Sequence, residues 1–256
     1  MLNPKDIKEF LEEKYQQYAS PQFIESDPIQ VPKRYSKKGD VEIAGFLTAT
    51  LSWGQRPQII RFANSLMDGM GDSPWQFVAE CSKEELQSLN NFYYRTFNGV
   101  DCVAFISSLK RIYTENGGLD ALFNKGYEQF GTMQGAITFF RQKFLGSSFP
   151  HRSHKHVSNP QAGSAAKRIN MFLRWMVRPS TEGVDFGLWR NIPKSALMLP
   201  LDVHSGRVAR ALGLLNRKDN SWKAVEEVTS NLRQLDSTDP VKYDFALFGL
   251  GVFEKF

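Results

Sequence analysis

Two residues in the C-terminal half have the chemistry of an amine and carboxylate pair. Lys167 opens the stretch KRINMFLRWMVR, and Asp202 lies 35 positions later in LPLDVHSGRVARALGLL. A helix capped by Ser164 puts Lys167 in the first turn, where the helix's partial positive charge and neighbouring cations disfavour an ammonium. A lysine held as the neutral amine is a nucleophile, able to attack a sugar C1′ or a carbonyl and form a Schiff base. Asp202 precedes a short helix and caps it; a carboxylate there is stabilised as the anion, which suits an electrostatic or general-base role. Both residues also fit plainer structural roles. At about 100° per residue, Lys167, Met171, Arg174 and Arg178 fall within an arc of about 60°, opposite Ile169, Phe172, Leu173 and Met176. That is the pattern of an amphipathic helix with a solvated basic face.

Charge placement adds a second signal. The net charge is +5, yet no acidic residue occurs between Glu128 and Glu182. Eight basic residues lie within positions 141–180, so the remainder of the chain is slightly acidic. A segment of this kind is the footprint of a polyanion-binding surface, or else a solvated basic face. Within it, HRSHKH carries His151, His154 and His156. Arg152 and Lys155 between them repel a dication and no carboxylate is near in sequence, so a phosphate-contacting or solvated loop is expected rather than a metal site.

The elements that must carry these groups are helical. Ile7, Phe10, Leu11 and Tyr15 form one stripe, and Ile43, Phe46, Leu47 and Thr50 begin another. Trp222, Val225, Thr229 and Leu232 share a face of a helix after Ser221. Ser82 and Glu85 form a capping box, Asp239-Pro240 reads as a helix start, and Gly213 ends the helix that begins near Val203. β-Branched residues with period two are missing, so the expected fold is all-α, about a dozen helices with no sheet. Residues 27–40 and 146–163 are polar, proline-containing and irregular.

Composition narrows the class. A chain of 256 residues with 12 Pro and 19 Gly can bury a core and is neither collagen-like nor low in complexity. The longest apolar run, Phe245 to Phe253, is far short of the roughly 20 residues of a membrane helix. The start, MLNPKDIKEFLEEK, lacks the apolar core of a signal peptide. A cytoplasmic protein is expected. Two cysteines, Cys81 and Cys102, cannot form a four-cysteine zinc or iron–sulfur site.

LPLDVHSGRVARALGL resembles the aspartate-bearing segment of the helix–hairpin–helix DNA glycosylases, the superfamily of endonuclease III and the 8-oxoguanine glycosylases. FLTATLSWGQRPQIIRFANSL resembles their early helix–loop–helix, FYYRTFNGVDCVAFISSLKRIY their middle helix pair, and DPVKYDFALFGLGVF the closing helix that walls the base pocket. The pieces occur in order over residues 41–253. The chain also resembles a bacterial family defined as a conserved domain of unknown function, through DVEIAGFLTATLSWGQR, AAKRINMFLRWMVR, LPLDVH and DPVKYDFALFGLG.

The glycosylase resemblance implies two helical lobes with a cleft between them in a single 1–256 unit, approximately 41–163 and 1–40 plus 164–256. It implies that Lys167 attacks C1′ of a damaged nucleotide while Asp202 stabilises the cationic sugar. The altered hairpin, with Gly163 four residues before Lys167, and the long interval to Asp202 match the archaeal-type variant and leave Lys155 and Lys194 as alternative nucleophiles. A base must leave the duplex to be reached. Gln55 or Arg56 would fill the gap, Trp53, Trp175 and Phe253 would stack on the base, and Asp244 would read its edge. Arg152, Lys155, Arg168, Arg174 and Arg207 would contact phosphates. The aromatics fit core packing as well, and Asp244 a cap.

The implied reaction is base excision, removal of an oxidised purine from double-stranded DNA, with or without Schiff-base cleavage of the strand. The expected protein is a monomer with no metal, no cofactor, no iron–sulfur cluster and no membrane partner. A non-catalytic nucleic-acid-binding module on the same fold, and an enzyme acting on RNA or a free nucleoside, are the alternatives.

Overall fold

Helix-forming periodicity runs through nearly the whole chain, and the computed structural model of the protein, which describes residues 3–179 and 181–256, is predominantly helical. In chain order the α-helices are α1 (Pro4–Tyr18), α2 (Pro21–Ile24), α3 (Lys38–Leu51), α4 (Arg56–Asp68), α5 (Pro74–Glu80), α6 (Lys83–Ser88) and α7 (Gly99–Asn116). They continue as α8 (Leu119–Phe130), α9 (Met133–Leu145), α10 (Lys167–Val177), α11 (Val203–Ala211), α12 (Trp222–Leu235) and α13 (Asp244–Gly249). Short 3-10 turns join several of them, and a π-helical turn, Leu250–Glu254, follows α13. One sheet element departs from the all-helical expectation: Tyr93–Tyr94 pairs antiparallel with Phe97–Asn98. Its turn places Arg95 at φ 56°, a conformation the two-residue reversal requires and the period-two test cannot see.

The chain forms two compact units, one from residues up to Glu25 together with Asn159–Phe256, the other from Ser26–Ser158. In the Ser26–Ser158 unit, every residue of α3 from Asp40 to Leu51 is buried. The Ile43–Thr50 stripe is thus one side of a helix enclosed all round, as a helix apolar on most faces must be. Phe46 meets Phe105, Phe140 and Phe144 at 5.3–6.0 Å, and α8 packs on α9 through Phe123 and Phe140, stacked at 4.4 Å. The Ser82–Glu85 capping box forms in both directions, at 3.1 and 2.8 Å.

In the other unit α1 buries Ile7, Leu11 and Tyr15 and packs against α13, while α12 buries Trp222, Val225, Thr229 and Leu232. Gly213, at φ 72°, follows the last turn of α11 as expected. Two helix starts differ from the sequence reading. Helix α10 begins at Lys167, not behind Ser164; the Ser164 hydroxyl instead accepts the Ala166 amide at 3.2 Å, in a turn just before the helix. Asp239 does not cap the turn that follows it, because Arg178 takes both of its carboxylate oxygens.

Candidate functional site

Three chain segments bring Lys167, Asp202 and Asp244 into one electrostatic neighbourhood. Lys167 is the first residue of α10, placed there by a left-handed Ala166 (φ 49°, ψ 35°) that is itself buried. A non-glycine residue in this region costs about 1–2 kcal/mol, so packing holds the backbone where it would not otherwise rest. The Lys167 ammonium lies 3.4 Å from the Met171 sulfur one turn on.

Asp202 caps α11. Its Oδ1 accepts the His204 and Ser205 amides at 2.9 and 3.0 Å and the Ser205 hydroxyl at 3.2 Å, while the Ser205 hydroxyl accepts the Asp202 amide at 3.0 Å. Every one of these bonds on the carboxylate falls on Oδ1. Oδ2 has no partner among the described residues. The cap therefore fixes the carboxylate and leaves one oxygen for another task.

Asp244 starts α13 and is buried. Burial pushes its carboxyl up to about 6; the Arg174 guanidinium opposes the rise, the Asp202 charge adds to it, and the Lys167 charge opposes it. Asp244 on α13 thus feels the charges of Lys167 on α10 and Asp202 on α11, though its direct partner is Arg174.

Behind Asp244 lies a chain of buried ion pairs. Arg174 pairs with Asp244 and, at 3.3 Å, with Asp185. Arg178 pairs with Asp185 at 2.6 Å and grips Asp239 with Nε and Nη2, both at 3.0 Å. It also donates to the Tyr15 hydroxyl at 3.2 Å, and that hydroxyl donates in turn to Glu182. Burial alone would depress the Arg178 guanidinium, but Asp185 and Asp239 hold it well above its usual range. The Phe245 ring lies 4.4 Å from the Arg174 guanidinium and 5.6 Å from that of Arg178. At 3% and 1% exposure, Arg174 and Arg178 are interior groups, not the solvated face the helical wheel draws.

This corrects part of the expected site. Arg174 is committed to Asp185 and Asp244 and offers nothing to a phosphate. Trp175 is fully buried, with its indole N–H unpartnered among the described residues, so its ring has no open face for a base. Arg168 is half-buried, and burial pushes its guanidinium down to about 10. Arg207 is exposed and donates to the Gly251 carbonyl at 2.8 Å. Phe253 is half-exposed on the π-helical turn and stacks on Tyr18 at 5.6 Å. Lys194 sits 3.5 Å from Asp239, in the ion-pair chain.

The remaining expected residues belong to the Ser26–Ser158 unit. Gln55 is exposed at the start of α4, after Gly54 at φ 110°; a side chain at 54 would meet the Arg95 guanidinium and the Tyr94 hydroxyl. Arg56 reaches the Ser26 hydroxyl at 3.3 Å and Asp27 at 3.9 Å. Trp53 stacks on His156 at 5.8 Å and touches Tyr94 at 5.5 Å. Arg152 donates to Asn98 at 2.6 Å and to the fully buried Asp101 at 3.0 Å, which Ser153 also bonds at 2.5 Å. Lys155 is exposed. The three histidines diverge: His156 is buried against Phe97 and Asp101, while His151 and His154 pair with each other at 5.1 Å.

The segments that carry these groups are those of a defined family. A family model described as protein of unknown function, DUF2400, matches residues 27–253. The chain belongs to this family. The matched span includes Lys167, Asp202, Asp244 and the whole ion-pair chain from Arg174 to Asp239. No curated protein and no solved structure matches the chain. No helix of the described residues is long and apolar enough to cross a membrane.

Proposed function

We propose that the protein is a DNA glycosylase of helix–hairpin–helix type that removes a damaged base, an oxidised purine by its sequence resemblance, through an amine nucleophile. The observation that carries the reading is the shared neighbourhood of Lys167, Asp202 and Asp244. An amine whose charge is felt by one carboxylate that burial keeps protonated more readily than usual, with a second carboxylate that has an unused oxygen acting on the same group, has the parts that glycosidic cleavage needs.

In this mechanism the Lys167 ammonium first gives up a proton to solvent, and the amine then attacks C1′ as the C1′–N bond breaks. The bonding electrons leave with the base, which takes up a proton. The free Oδ2 of Asp202 faces the positive charge that develops on the sugar, the charge an anchored carboxylate stabilises best. The nitrogen of Lys167 then sheds a proton to a carboxylate, which returns it to O4′ as the C1′–O4′ bond breaks, and the nitrogen lone pair forms the C1′=N bond of a Schiff base. Proton abstraction from C2′ would next eliminate the 3′ phosphate, if strand cleavage follows.

Borohydride reduction of mixtures with oligonucleotides carrying 8-oxoguanine or an abasic site tests the proposal. A covalent adduct in the wild type that is absent in Lys167→Ala supports it. If there is neither adduct nor base release across a panel of lesions, but binding falls steeply with salt, the protein is a non-catalytic nucleic-acid module. A flat salt response excludes DNA as the ligand.

A further inference from the structure

We propose that a cavity on the outer face of α7, within the Ser26–Ser158 unit, binds a small organic anion: a carboxylate or phosphate monoester carried on an apolar body. The cavity holds about 380 Å³. Its floor is one stripe of α7: Val100, Val103, Ala104, Ser107, Ser108 and Arg111. These follow the three-and-four spacing of a single helical face, apolar at one end and hydrogen-bonding at the other. Helix faces of this composition ordinarily seek a partner, yet here Val100 remains 47% exposed.

The polar end is preorganised and consists of donors. Arg111 donates through Nη2 to the Lys143 and Phe144 carbonyls, both at 2.8 Å, which ties it to the last turn of α9. Its approach is possible because residue 146 is glycine, at φ 53°, where any side chain would collide with the guanidinium. Both bonds use Nη2, so Nη1 and Nε have no partner among the described residues. The hydroxyls of Ser107, Ser108 and Ser148 also have none there, although Ser108 is only 5% exposed. None of the described lining residues is acidic. A fixed guanidinium with spare N–H groups, three free hydroxyls and no carboxylate selects an acceptor-rich anion. Phe149 adds a rigid apolar wall, held 5.7 Å from both Phe105 and Phe144. Space of this size suits a small molecule with few polar groups and one apolar side.

Phenyl phosphate, 3-phenylpropionate and the neutral 3-phenylpropanamide serve as probes against the ¹⁵N-labelled full chain, read at the Arg111 Nε–H resonance. At least one anion is expected to shift it, with a Kd on the order of 1 mM or tighter and at least tenfold tighter than the amide. Whichever anion binds more tightly identifies the headgroup. Arg111→Met is expected to weaken binding at least tenfold. Because that change also frees two carbonyls of α9, Ser107→Phe is the second variant: it fills the cavity from an exposed position and is expected to abolish binding while the spectrum stays folded. No shift with either anion, equal affinity for the amide, or binding unchanged in Ser107→Phe overturns the proposal. The site lies in the other unit from Lys167, and none of these readouts depends on glycosylase activity.

Discussion

Replacing Asp244 with asparagine isolates the carboxyl whose protonation is most disturbed. Asp244 is buried, which raises its pKa to about 6 from the ordinary aspartate value of 3.8, so the folded protein binds a proton there that the unfolded chain has already released. Between about pH 4 and pH 6 the native state carries about one more proton than the unfolded state, and stability falls as pH rises. The slope is about 1.4 kcal/mol per pH unit, so roughly 3 kcal/mol of stability is present below pH 4 and lost by about pH 6.5. Asparagine cannot release that proton. Subtracting the Asp244→Asn urea-melting curve from that of the wild type, across pH 3 to 8, should give a difference that falls by about 3 kcal/mol and then flattens. Carboxylates not coupled to Asp244 cancel in the subtraction, and the fixed cost of giving Arg174 an amide partner enters only as a pH-independent offset. A difference that stays level, or one that rises with pH, would refute the claim that burial outweighs Arg174 at this carboxyl.

Other perturbations follow from the same contacts. Arg178→Met leaves Asp185 and Asp239 in the interior without their main cation and should cost about 3–5 kcal/mol in urea melts; a loss below 1 kcal/mol would mean the pairs are solvated. Ala166→Val puts a branched side chain at φ 49° in a buried turn and should cost about 2 kcal/mol or more, whereas Ala166→Gly should change stability by less than about 1 kcal/mol. Gly99→Ala places a methyl against the Asn90 backbone and should lower the melting temperature by several degrees, in contrast to Gly69→Ala, whose methyl meets nothing nearer than 3.5 Å at a φ of −67°. Ser82→Ala breaks an exposed capping box and should cost about 1 kcal/mol with no effect on binding.

Local patterns were legible where one helix decides its own fate. The α1 and α12 stripes, the Ser82–Glu85 box and the glycine after α11 depend on neighbours within a turn, and the sequence displays those. The basic segment reads differently in three dimensions. A helical wheel places Arg174 and Arg178 on one face but cannot show that Asp185, Asp239 and Asp244, up to 70 residues further on, converge there. Their charge is consumed inside the protein, and that of Arg152 is partly consumed by Asp101. What remains of the basic segment is smaller than its count of eight suggests. Asp239 looked like a cap for the same reason: aspartate before proline is a local signal, whereas its arginine partner lies 61 positions away. The stripe on α7 was present in the sequence, but its mixture of apolar and hydroxyl residues gives a weak periodic signal and no motif.

The burial of α3 on every side also has a kinetic consequence. A helix with no solvent-facing edge cannot fray one face at a time, so its central amides exchange with solvent only when the Ser26–Ser158 unit opens cooperatively. Their deuterium uptake would therefore serve as a clock for the opening of that unit, against which any ligand that stabilises it would register as a slowing of the whole helix at once.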